Sequence, residues 1–75
     1  EMIGRIMHRL ISEPYAGSLD TSDGVKFLVD GGWVLVLPDA DQPMLRLIAE
    51  GRDARMTHDL MMLHVARIEW MIDMN

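Results

Sequence analysis

The sequence predicts an α+β fold of order α-β-β-β-α, a small, mainly antiparallel sheet with two helices gathered on one face. Apolar residues recur at helical spacing near the start of the chain and again over its last third. Between those stretches lie three short segments rich in β-branched and apolar residues, and Gly, Pro and Asp punctuate the boundaries.

Met2, Ile3, Ile6, Met7, Leu10 and Ile11 repeat at three- and four-residue intervals around Arg5, His8 and Arg9, which predicts an amphipathic helix over 2–11, ended before Pro14. Residues 15–24 are small or turn-forming and have no period, so they read as a loop with room for one short extended piece. A strand over 25–29 stops at Asp30-Gly31-Gly32, whose glycines accept the positive φ of a hairpin turn, and 33–37 runs back as its partner. Pro38 and Pro43 bracket a second loop, since neither can donate in a sheet interior. The third strand, 44–50, sets Leu45, Leu47 and Ala49 on one side and Met44, Arg46, Ile48 and Glu50 on the other, and Gly51 breaks it.

The segment 53–73 has neither Gly nor Pro and reads as the longest helix. At about 100° per residue, Ala54, Met61, Val65, Ile68 and Ile72 fall in one arc, the natural face for the sheet, with Arg55, Asp59, Glu69 and Asp73 on a flank. Opposite lies a second apolar set, Met56, Leu60, Leu63, Trp70 and Met74, interrupted by Arg67. It is either a wide contact with the first helix or a surface that docks on another domain or subunit, where Met and Trp are enriched.

Seventy-five residues make at most one small domain and exclude a complete multi-domain enzyme. The chain is 49% hydrophobic and 25% charged, a globular composition. The absence of cysteine removes disulfides, thiolate zinc sites and cysteine nucleophiles. Eight methionines against one Phe, one Tyr and two Trp are an unusual core filling. A net charge of -5, with scattered arginines, argues against a nucleic-acid partner. No apolar run reaches the roughly 20 residues of a spanning helix, and there is no export signal, so the expectation is a cytoplasmic chain with no membrane partner. Its start at Glu1 gives the further expectation of a domain, 1–75, cut from a longer protein.

Few residues carry chemistry. His58 and His64 stand about 240° apart on the helical wheel and cannot share a metal, and His8 is remote from both in sequence. Ser12, Ser18 and Ser22 lie in or beside loops without a nucleophile elbow, so no catalytic residue is assigned. Asp39 and Asp41 have the oxygen chemistry of a Mg²⁺ site, but Asp between prolines is more simply a turn former. Arg46 could grip a phosphate or carboxylate through its planar fork; pairing with Glu50 or a neighbouring strand's carboxylate is the structural reading.

The stretch Asp23-Gly24-Val25-Lys26, then Gly32-Trp33-Val34-Leu35-Val36, then Pro38 and Pro43, then Leu45-Arg46-Leu47-Ile48-Ala49-Glu50 resembles the C-terminal domain of the α-D-phosphohexomutases, which include phosphoglucomutases, phosphomannomutases and phosphoglucosamine mutases. The resemblance covers residues 23–50, and the flanking helices fit the family's α-β-β-β-α plan. It implies a domain that closes over an active site and binds the phosphate of a phosphosugar, while a phosphoserine and Mg²⁺ on other domains do the chemistry. The implied partners are those domains and the phosphosugar, and the domain itself holds no cofactor.

Against the family's Arg-Pro-Ser-Gly-Thr-Glu-Pro loop, this chain has Leu37 for the Arg, Asp39 for the Ser, Ala40 for the Gly, Asp41 for the Thr and Gln42 for the Glu. Two like unit charges 4 Å apart repel by about 1 kcal/mol even in bulk water. The loop is thus a degenerate phosphate site, and the implied role is structural, capping or regulatory. The same Leu-Pro-Asp-x-Asp form also resembles mutase-like regions fused behind sugar-phosphate nucleotidyltransferases. A working mutase whose domain still contacts substrate through Arg46 or loop amides, and an unrelated protein-interaction module, are the alternative readings.

Overall fold

In a computed structural model that describes residues 1–13, 18–21 and 24–74, the elements are α1 (Met2–Ser12), β1 (Ser18–Asp20), β2 (Val25–Val29), β3 (Gly32–Pro38), β4 (Leu45–Glu50) and α2 (Ala54–Asp73). The α+β class and the order of helices and principal strands are those expected. The short extended piece that 15–24 had room for is β1, and it joins the sheet: it pairs antiparallel with β2 through Leu19 opposite Phe27 and Asp20 opposite Lys26, so the sheet has four strands, in the order β1-β2-β3-β4, where three were expected. The remainder of the expected loop, 14–17 and 22–23, lies outside the described residues.

Local chemistry sets the boundaries. Glu1 caps α1 by accepting the Gly4 N–H, and the Glu13 N–H closes the other end on the Arg9 carbonyl at 2.9 Å. Asp53 caps α2 by accepting the Met56 N–H at 2.8 Å. The Thr57 hydroxyl donates to the Asp53 carbonyl and accepts the Gly51 N–H, both at 2.9 Å, which locks the end of β4 to the start of α2. The β2–β3 turn has φ +87° at Gly31 and no positive φ at Asp30, the sign pattern of a type II turn, in which the third residue favours glycine. Pro38 ends β3 opposite Leu45 rather than opening the loop, a position where its missing N–H is tolerated.

Cross-strand rows build the inner face. Leu19, Phe27, Val34 and Ala49 form one row and Val25, Val36 and Leu47 the next. Ile6 and Leu10 of α1 and Ile68 and Met71 of α2 close over these rows to make the buried core. Each such side chain contributes about 1.5–3 kcal/mol on burial. β4 alternates as expected, with Leu45, Leu47 and Ala49 half-buried and Arg46, Ile48 and Glu50 exposed.

The face of α2 departs from expectation. Its buried residues are His64, Ile68 and Met71, so the helix is turned by about 70° from the arc centred on Ala54 and Ile72, both of which are exposed. The cause is His64, only 3% exposed: its ring lies 4.9 Å from the ring of Phe27, and its Nδ1–H donates to the Leu60 carbonyl at 3.0 Å. A histidine that satisfies its donor on its own helix enters a core as an aromatic. Met71 therefore belongs to the core, while Met2, Met44, Met62 and Met74 remain 39–64% exposed.

Candidate functional site

The residues assigned to phosphate binding lie in and beside the β3–β4 connection. Leu37 sits on the outer side of β3, directly opposite Arg46 in β4. Asp39 follows at the mouth of the loop, Ala40 and Asp41 form its exposed tip, and the chain returns where the Asp39 N–H donates to the Met44 carbonyl and the Met44 N–H to the Gln42 carbonyl, at 2.9 and 2.8 Å.

The sequence favoured a turn former over a cation ligand at Asp39, and the loop bears this out. Its Oδ1 accepts the backbone N–H of Asp41 at 2.9 Å and that of Gln42 at 3.0 Å. A side-chain oxygen thus occupies the small N–H concavity that the loop would otherwise offer an anion. These two hydrogen bonds, helped by the charge of Arg46, hold the Asp39 carboxyl below the usual carboxylate range. The carboxylate is therefore ionised at neutral pH, with its Oδ1 engaged by its own loop.

Arg46 does not pair with Glu50. The two share a face but stand four residues apart, about 13 Å along an extended strand, beyond salt-bridge reach. Across β3 they face Leu37 and Trp33, and among the described residues neither makes an ion pair. Metal chemistry finds no cluster here: among the described residues, no three of His, Cys, Asp or Glu converge to hold an ion. His58 is exposed and His64 buried, while the His8 ring lies 3.4 Å from the Ser12 hydroxyl on α1.

A polar cluster that sequence reasoning missed joins the two helices. Glu13 receives Nε–H and an Nη2–H of Arg9 at 2.9 and 2.7 Å, and Arg67 Nη2 comes to 3.6 Å of its other oxygen. The bonds from Arg9, then the charges of both arginines, hold the Glu13 carboxyl below its ordinary value. The Arg67 guanidinium also lies 5.4 Å from the Phe27 ring centre, and that of Arg9 5.5 Å from Trp70. The Arg9–Glu13 spacing of four is a legible helix pair. Arg67, which looked like an interruption in an apolar stripe, joins it only through the tertiary fold.

The apolar stripe itself is split. Leu60 packs against the core, whereas Leu63, Trp70 and Met74 remain 64%, 54% and 64% exposed, with α1 reaching only the Trp70 ring, through Arg9, among the described residues. Among the described residues no helix is long and apolar enough to cross a membrane.

This geometry defines an α+β domain with a tight, acidic β3–β4 loop, and comparison with known proteins places it beside sugar-phosphate mutases. It is 29% identical over 59 residues to a phosphoglucomutase/phosphomannomutase of Thermococcus kodakarensis, covering 79% of this chain and 13% of that protein. It is 34% identical over 56 residues to a probable phosphoglucosamine mutase of Methanopyrus kandleri, 75% of this chain and 12% of that one. A probable phosphoglucosamine mutase of Methanococcoides burtonii is 40% identical over 37 residues, 49% of this chain and 8% of its own length. The chain thus spans about an eighth or less of these relatives, and the matched region lies at their very end. No family model matches it.

Proposed function

We propose that the chain is the terminal domain of a phosphohexomutase-like protein of sugar-phosphate metabolism, acting as a non-catalytic capping or regulatory domain. The similarity to three sugar-phosphate mutases supports the family reading. The observation that carries the capping role is the Asp39 carboxylate bound to the Asp41 and Gln42 amides, which gives the loop a built-in anion where a phosphate-binding loop needs free donors. In this reading Leu37, Asp39, Ala40 and Asp41 mark a lost phosphate site, and Arg46 is the single cation left beside it. Any phosphoserine and Mg²⁺ that run the chemistry would belong to other domains of the parent, which are also the partners of this one.

A chimera tests the proposal. The matched end of the Thermococcus kodakarensis protein is replaced by this chain, and phosphosugar turnover is compared with that of the intact protein. Loss of the loop's phosphate donors lowers turnover about a hundredfold in a chimera that still folds. Leu37→Arg, Asp39→Ser and Asp41→Thr together recover at least a tenth of the lost rate. Full turnover by the unmodified chimera contradicts the proposal.

A further inference from the structure

We propose that β4 is the seam of a symmetric homodimer, in which the free edges of two copies pair antiparallel about Ile48. The strand closes one end of the sheet order β1-β2-β3-β4, so among the described residues one side of its backbone has no partner strand.

The side chains select the partner. Two copies of an antiparallel edge must match inner face to inner face, because a slip of one residue turns every side chain over. A two-fold axis through Ile48 satisfies this, and it sets Arg46 opposite the second copy's Glu50, and Glu50 opposite its Arg46, with Leu47 opposite Ala49. Within the chain the two charges face Leu37 and Trp33 and make no ion pair among the described residues. Every other face-matched register leaves the Arg46–Glu50 pairing unmade: centred on Leu47 it sets Arg46 against Ile48 and Glu50 against Met44, and centred on Arg46 or Ala49 it sets Arg46 against an arginine. Edge charges that only repel neighbours need no such spacing; opposite signs four residues apart complement themselves under a two-fold axis.

Apolar surface flanks the edge on both faces of the sheet. On the outer face Ile48 is 41% exposed and meets itself across the axis. On the inner face Leu45 and Leu47 line an apolar groove of about 330 Å³ with Val65, Ile68 and Ile72 of α2. A second copy of the strand covers surface that the chain itself leaves open.

Sedimentation equilibrium of the 75-residue chain up to about 1 mM, with circular dichroism confirming that each variant folds, tests the seam. The wild type is expected to dimerise reversibly. Arg46→Glu and Glu50→Arg, each of which opposes like charges twice per dimer, raise the dissociation constant at least about tenfold. An equimolar mixture of the two variants, and the double swap Arg46→Glu/Glu50→Arg, regain wild-type association. A wild type that stays monomeric throughout overturns the proposal. So does a dimer indifferent to either single reversal, or a double swap that fails to restore it.

Discussion

Arg46 stands directly opposite Leu37 across the β3–β4 ladder, so the guanidinium beside the loop faces an alkyl chain. The Asp39 carboxylate, accepting the Asp41 and Gln42 amides, gives the β3–β4 loop an anion of its own. The consequences can be tested residue by residue.

Repairing the loop should create what the wild type lacks. Leu37→Arg/Asp39→Ser/Asp41→Thr removes two carboxylates and adds a guanidinium and two hydroxyls. Calorimetry should then detect glucose 6-phosphate binding in the millimolar range, about 4 kcal/mol of affinity, where the wild type shows no heat of binding. A repaired loop as silent as the original contradicts the assignment of Leu37, Asp39 and Asp41 to former phosphate contacts.

Phe27 is the central core aromatic, fully buried and in contact with the His64 ring and the Arg67 guanidinium. Phe27→Ala should cost about 3–5 kcal/mol, enough to unfold a domain of this size at 37 °C. Trp70→Ala, with the ring 54% exposed, should cost less than about 1 kcal/mol. Urea titration followed by far-ultraviolet circular dichroism separates the two, and equal losses contradict the placement of the core.

Stability should fall as the pH drops below 6.5. Burial, with the Arg67 charge adding to it, pushes the His64 pKa down from that value, so the unfolded chain takes up a proton that the folded one refuses. The contribution is fully present above pH 6.5 and is lost as pH falls through the lowered folded pKa. His64→Phe should flatten this part of the profile of unfolding midpoint against pH. A second decline, from the lowered pKa values of Glu13 and Asp39, begins only below their ordinary 4.5 and 3.8. A midpoint constant between pH 7 and 5 in the wild type contradicts the burial of a neutral His64.

Gly24 has φ +105°, and a Cβ there would lie 2.5 Å from the Val36 carbonyl oxygen. Gly24→Ala should therefore destabilise by about 1–3 kcal/mol, through backbone strain and displacement of β3. Thermal melting checks it, and an unchanged midpoint contradicts the positive φ and close packing of Gly24.

What the sequence disclosed followed from how local each signal was. The alternation of Leu45, Leu47 and Ala49 against Arg46 and Ile48 is a property of one strand, and it appears in the burial of β4 as expected. β1 has three residues, Ser-Leu-Asp, too few for a period, and exists through its pairing with β2. The phase of α2 was misjudged because two apolar arcs competed and His64 counted as polar, when its donor is satisfied one turn back at Leu60. The β3–β4 loop was legible from the prolines at 38 and 43. The turn-forming role of Asp39 was legible from its place between prolines; which amides it accepts, Asp41 and Gln42, came only with the structure.

The most direct test of the capping account is the response of the loop amides from Leu37 to Met44, omitting the prolines, to mannose 1-phosphate or glucose 6-phosphate, read by nitrogen–proton correlation spectra. With its N–H concavity already filled by Asp39, the wild-type loop should show no saturable shift up to about 10 mM phosphosugar. Saturable shifts centred on Asp41 and Gln42 would contradict the account and restore the domain to a substrate-binding role.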